Sequence, residues 1–334
     1  MTKGQKILTY ATGFALGCLI LAIIPREREA PKEHPWHAQT ALEGTYPISL
    51  QDDLGRTVQL ERQPRHFISL APSITEILFA MEMGDHLMAV TQWCDYPEEA
   101  RALRDAGAQI GSMDQPNREL IATYRPDLIL GTDLTPPEIY AAIENPPNTV
   151  AVALAHDSMQ DVLDDVRLVG RLTGVPGKAL RLVDKLQAEQ AAVRSALEPF
   201  AMEAPKRVLF LLSIEESMQP GWAPGENTWV HNLIEESRAT NLAAELGKSW
   251  GQVSLEGLLS MNPEILLIRD GESPQAQEAL RGRIARLEEH PVWRQVEAVK
   301  TDRVHILPYG PLNIPGPRIM DAYGAVAGAV WELD

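Results

Sequence analysis

Along this chain, short unbroken apolar runs alternate with segments whose apolar residues recur at helical spacing. Phe67-Ile-Ser-Leu-Ala71, Leu128-Ile-Leu130, Val150-Ala-Val-Ala-Leu154, Val208-Leu-Phe-Leu-Leu212, Ile265-Leu-Leu267 and Arg303-Val-His-Ile-Leu307 are runs of the first kind. Their lack of polar alternation predicts parallel strands buried on both faces, with the periodic segments as helices between them. Ile48 to Leu60 reads differently, alternating on either side of Asp53 and Gly55, and predicts a hairpin.

One phrase occurs twice, about 137 positions apart. Its first copy runs from Asn117 through Glu119, Pro126 and Asp127 to Leu130, and its second from Ser254 through Glu256, Pro263 and Glu264 to Leu267. In each copy an Asn or Ser suits the N-cap, a glutamate follows in the first turn, and a proline stops the helix before an apolar run. The apolar runs before and after each copy extend the echo. A two-copy repeat at so long a period predicts a pair of similar α/β lobes rather than a solenoid, each with one acidic helix start at an equivalent place.

Between the copies, Val162, Val166, Val169 and Leu172, then Leu180, Val183, Leu186, Val193 and Leu197, recur at helical spacing. Gly174-Val-Pro176-Gly177 interrupts them, so a helix, a break and a long helix reaching about Pro199 are expected. A helical connector resists large hinge bending, because bending breaks backbone hydrogen bonds along one side.

The N-terminus changes the picture. Lys3 and Lys6 precede an uncharged stretch from Ile7 to Ile24, closed by Pro25-Arg-Glu-Arg28. Its length lies between a secretory apolar segment and a short membrane span. An uncleaved anchor is favoured, since the apolar run continues past Cys18 and no small-x-small cleavage site closes it; lipidation at Cys18 and cleaved export are the other readings. Under all three the body lies outside the cytoplasm. Pro25, Pro31 and Pro35 mark a solvated tether that includes His34-Pro-Trp-His37, read as plain linker over a two-histidine metal clip.

In 334 residues, 45% of them hydrophobic, the formal net charge is −16. That length and content suffice for two cores, while the charge supplies no basic stripe and argues against nucleic acid as partner. The two cysteines, Cys18 and Cys94, leave no disulfide within the body, and Cys94 reads as a small packing residue ahead of a ligand contact. The sequence has no nucleophile elbow, phosphate-cradling glycine loop or paired C-x-x-C, and the eight histidines include no i, i+4 helical pair. Neither enzymatic grammar nor a resident metal site is therefore indicated.

Tryptophan does stand out. Trp93 follows Ala89-Val-Thr-Gln92, Trp222 sits in Gln219-Pro-Gly-Trp-Ala-Pro-Gly225, and Trp250 precedes Gly251-Gln-Val253. All three flank Gly, Pro or Cys at expected strand ends, where α/β lobes bind ligands; the plainer reading is that each caps a core edge. Aromatic walls suit a broad, flat ligand.

Arg65 to Phe79, Val90-Thr-Gln-Trp-Cys-Asp-Tyr-Pro97 and Pro126-Asp127 resemble the periplasmic substrate-binding proteins of vitamin B12 and iron-complex ABC importers. The resemblance continues through Trp250-Gly-Gln-Val-Ser-Leu-Glu256, His290-Pro-Val-Trp293 and Ile314-Pro-Gly-Pro-Arg318, and it covers about residues 47 to 332. It implies two Rossmann-like lobes joined by a single long backbone helix, with the ligand between them and no catalysis. The organisation expected is an N-terminal membrane segment (1–30), a linker (31–46), an N-terminal lobe (47–157), connecting helices (158–200) and a C-terminal lobe (201–334).

Carried onto this sequence, Glu119 and Glu256 match the lobe-surface glutamates that dock this family onto arginines of the permease dimer, which works with its ATPase subunits. A first-turn acid is also favoured by the helix dipole alone. Trp222 and Trp250 match ligand-facing aromatics of B12-binding members, Trp93 falls where those members place a tyrosine, and Met113 replaces another of their aromatics. Gly310-Pro-Leu-Asn313 lands in the ligand-contact region. The Cys-Asp-Tyr-Pro stretch favours a corrinoid over a ferric siderophore or heme; an anionic siderophore would call for cleft arginines, of which Arg318 is one candidate. An enzyme or metallochaperone on the same lobes is the rival from another class, hinted at only by Cys94 and Asp95.

Overall fold

The computed structural model describes residues 45–333, so the expected membrane segment, Cys18 and the His34–His37 stretch lie outside the described residues. Among the described residues no helix is long and apolar enough to cross a membrane.

The first half holds β1 (Ile48–Gln51), β2 (Thr57–Leu60), β3 (Phe67–Ser69), α1 (Pro72–Ala80), β4 (Leu87–Ala89), α2 (Glu98–Asp105), α3 (Arg118–Tyr124), β5 (Leu128–Thr132), α4 (Pro137–Ile143) and β6 (Val150–Leu154). Two helices follow, α5 (Met159–Leu172) and α6 (Pro176–Ala196). The second half holds β7 (Lys206–Leu211), β8 (Trp222–Pro224), α7 (Trp229–Glu236), β9 (Ala239–Asn241), β10 (Trp250–Gln252), α8 (Leu255–Met261), β11 (Ile265–Arg269), α9 (Pro274–Ile284), α10 (Glu297–Lys300), β12 (Val304–Leu307), α11 (Tyr309–Asn313) and α12 (Ile319–Trp331).

Two four-stranded sheets form, ordered β4-β3-β5-β6 and β9-β7-β11-β12, and every pairing within them is parallel. Matching β3 with β7 and β5 with β11 makes the two orders the same, which is the repeat in three dimensions.

The doubled phrase shows why its residues recur. Asn117 caps α3 by accepting from Leu120 N, and Ser254 caps α8 by accepting from Gly257 N, each at 3.0 Å. Arg125 (φ 48°) and Asn262 (φ 39°) end the helices in the left-handed region, and the proline follows. The acid after the proline then ties down the start of the neighbouring strand. Asp127 accepts from Arg65 N and His66 N at 2.8 and 3.0 Å, and Glu264 accepts from Arg207 N at 2.8 Å.

Strand side chains alternate between two buried faces. Leu128 and Leu130 of β5, with Ile265 and Leu267 of β11, join one core that also takes in α5, α6, α7 and α12. Ile129 lies in a separate core against α4, and Leu266 and Ile268 in another around Trp293. Both sheets thus rest one face on a shared helical layer.

Within that layer the backbones of α5 and α6 cross closely: a Cβ on Gly170 would stand 2.2 Å from the Ala179 Cβ. Gly174 (φ +75°) turns the chain between them. The β1–β2 hairpin closes the exposed edge of β6, where unpaired N–H groups would otherwise face outward. Asp52 accepts from Ala153 N at 3.2 Å and Asp53 from Ala155 N at 2.7 Å.

Candidate functional site

The carboxyl edge of the second sheet carries an aromatic panel. There β8 and β10 pair antiparallel, with Trp222 opposite Gln252 and Trp250 opposite Pro224. This register puts Trp222 and Trp250 on one face as diagonal neighbours. Each tryptophan is the first residue of its strand in this short ribbon, half-buried against the shared core. The ribbon is fastened to β7 by Leu212 N donating to Trp222 O at 2.8 Å.

A third indole, which the sequence reading passed over, completes the panel. Trp229 is the first residue of α7, where Thr228 accepts from His231 N at 3.2 Å. Its ring meets Trp250 edge-on, with centroids 5.7 Å apart and planes at 62°. Its Nε1 donates to Leu312 O at 3.0 Å, which couples the panel to α11.

The whole Gly310–Asn313 segment lies within α11. Asn313 accepts from an Arg269 guanidinium nitrogen, and Arg269 lies over the Tyr309 ring at 4.9 Å. Arg269 ends β11, and this cation was also missed; its signal was a charged residue closing a buried apolar run.

On the first sheet, Trp93 lies in the turn after β4, half-buried, where Gln92 N donates to Gly111 O at 2.9 Å. Met113 packs partly against the shared core nearby, and its carbonyl accepts from Thr135 Oγ1 at 2.9 Å. Among the described residues no ring pair links Trp93 to the other three tryptophans. Cys94 is buried, with the hydroxyls of Thr75 and Thr91 each 3.2 Å from its sulfur. Burial pushes this thiol up, so it stays neutral and packs. No group of three or more His, Cys, Asp or Glu among the described residues could hold a metal ion.

Glu119 and Glu256 occupy the first turns of α3 and α8, both exposed, and neither enters an ion pair among the described residues. Each helix runs back from the carboxyl edge of its sheet to the start of the next strand, so both carboxylates stand at the edges that carry the tryptophans.

Arg318, the arginine considered for an anionic ligand, is committed elsewhere. It forms a two-pronged ion pair with Glu76 of α1, Nε to Oε2 at 3.0 Å, and it lies over the Tyr96 ring at 3.8 Å. Burial raises the Glu76 carboxyl while Arg318 draws it back down. This bridge joins the two halves of the chain.

Comparison with known proteins agrees with this architecture. An uncharacterized ABC transporter substrate-binding lipoprotein of Bacillus subtilis is 24% identical over 290 residues, covering 86% of each chain. A vitamin B12-binding protein of Pectobacterium atrosepticum is 31% identical over 211 residues, 61% of this chain and 71% of that one. Among solved structures, the apo form of a periplasmic heme-binding protein from Roseiflexus sp. RS-1 superposes with a TM-score of 0.67 at 26% identity, covering 80% of this chain and 98% of its own. The family model described as "Periplasmic binding protein" matches residues 68–309, and the chain belongs to that family.

Proposed function

We propose that this protein is the extracytoplasmic substrate-binding component of an ABC importer and that it captures a corrinoid between its two halves, residues 47–157 and 201–334. The observation that carries the reading is the panel of Trp222, Trp229 and Trp250 on one sheet's carboxyl edge. Indole faces give broad apolar contact to a flat macrocycle, and their half-burial fixes them before the ligand arrives. Trp93 supplies the corresponding wall on the other half, and Asn313 borders the panel. The B12-binding relative supports the ligand class.

Glu119 and Glu256 dock the loaded protein onto a permease dimer, where charge-assisted contacts to arginines would set orientation. Residues 1–30 hold the body at the membrane, a reading that the lipoprotein relative supports. The chemistry is recognition and delivery, without a catalytic step or a resident cofactor.

The test is titration of the detergent-solubilised full chain with cyanocobalamin, following tryptophan fluorescence. Saturable one-to-one quenching is expected, and its absence in a folded sample would remove the corrinoid. Heme is the second ligand to test, because the Roseiflexus structure shares the fold at 26% identity; a ferric siderophore is the third.

A further inference from the structure

Trp93 and Tyr96 belong to one turn, and Arg318 is where that turn meets the second half. Within the turn Cys94 N donates to Thr91 O at 3.2 Å, and the Cys94 sulfur lies 3.2 Å from Thr75 Oγ1 of α1. The next residue of α1, Glu76, is buried and holds Arg318, whose guanidinium lies 3.8 Å from the centre of the Tyr96 ring. The turn that carries Trp93 is therefore tied to Arg318 by two routes, through Thr75 and Glu76 and through Tyr96. Glu76 already balances the charge, and Tyr96 is 46% exposed, so neither charge balance nor core packing accounts for the ring over the guanidinium.

The same guanidinium touches the element that supports the aromatic panel. α11 passes so close that a Cβ on Gly310 would stand 2.7 Å from an Arg318 nitrogen. Two residues on, Leu312 O takes the Trp229 N–H at 3.0 Å, and the Trp229 ring meets Trp250. A planar fork gripped by a carboxylate and stacked on a ring has one orientation, so it can hold two elements in register.

We propose that Arg318 is a positioning residue for ligand capture: stacked on Tyr96 and packed against α11, it sets the gap between Trp93 and the tryptophan panel. This rests on capture between the two halves, as proposed above. A flat ligand makes full contact with both walls at one separation only, and walls fixed in advance spare it the cost of ordering them.

The test is calorimetric titration of the full-length protein in detergent with cyanocobalamin, with urea melts alongside. Tyr96→Leu removes the ring and leaves the ion pair, and at a half-exposed position it should shift the urea midpoint little. It should weaken cyanocobalamin binding about three- to tenfold, the range of a partly buried cation–π contact. Tyr96→Phe keeps the ring over the guanidinium and should retain the affinity. In an Arg318→Lys background, where the ammonium keeps a charge for Glu76 but offers no plane to stack, Tyr96→Leu should cost nothing further. Three results would each overturn the positioning role and leave the corrinoid reading standing: Tyr96→Leu binding as tightly as the unaltered protein, Tyr96→Phe binding as weakly as Tyr96→Leu, or an equal loss from Tyr96→Leu in the Arg318→Lys background. An unaltered protein that binds no cyanocobalamin would remove the corrinoid reading, and this role of Arg318 with it.

Discussion

At the scale of single residues, the proposed capture assigns Trp250 a face toward the ligand, while the Trp229 N–H holds its ring to α11. Trp250→Ala should weaken corrinoid binding by about 2 kcal/mol or more, as for a central aromatic contact, and reduce the quenching on saturation. Trp229→Phe keeps an aromatic ring but a smaller one and loses the N–H to Leu312 O, so about 1 kcal/mol or more of stability should be lost in urea melts, with a smaller effect on affinity.

Asp165 gives a pH prediction. Its Oδ2 lies 2.8 Å from His156 Nδ1, and burial pushes its carboxyl up to about 6. Because the folded value is above the ordinary one, this group favours the fold while protonated. Its contribution is complete below about pH 4 and is lost as pH rises through about 6. Asp165→Asn removes that titration, so the stability advantage of the unaltered protein over the variant should shrink from about pH 4 to about pH 7. A constant difference in urea melts would show that Asp165 does not titrate there.

At the scale of elements, much was legible because local chemistry and burial agreed. The caps at Asn117 and Ser254, the stopping prolines, the break at Gly174 and the run Val150–Leu154 each became the element expected. The strand at Phe67 ends early, at Ser69, because Pro72 begins α1. The β8–β10 ribbon was not legible: each strand is three residues long, too short for a periodic signal, and its pairing partner is distant in sequence. Arg269, Trp229 and Glu76 were missed for a related reason. Each is given meaning by a partner far along the chain, Asn313, Leu312 and Arg318.

The close crossing of α5 and α6 yields a mutational test at this scale. Gly170→Ala would drive a methyl against Ala179, and about 1–3 kcal/mol of stability should be lost without a change in docking or ligand preference.

For the whole molecule, one core and one ion pair set how the halves sit together. The shared helical layer spans both sheets, and the Glu76–Arg318 pair crosses between the halves. Arg318→Gln leaves Glu76 buried without its cation, which should cost about 3–5 kcal/mol at neutral pH. The loss should be smaller in acid, where Glu76 is protonated, because its raised value favours the neutral carboxyl. The proposed docking role can be tested apart from the proposed capture at this scale. In reconstituted importer vesicles, Glu119→Ala with Glu256→Ala should abolish uptake while leaving ligand affinity unchanged; an equal fall in affinity would contradict the docking assignment.

The most direct test of corrinoid capture is calorimetric titration of the full chain with cyanocobalamin, with tryptophan fluorescence recorded in parallel. Submicromolar one-to-one binding with strong quenching that Trp250→Ala diminishes is expected. A folded protein that binds no corrinoid, or binds it with unchanged tryptophan emission, would contradict capture by the aromatic panel.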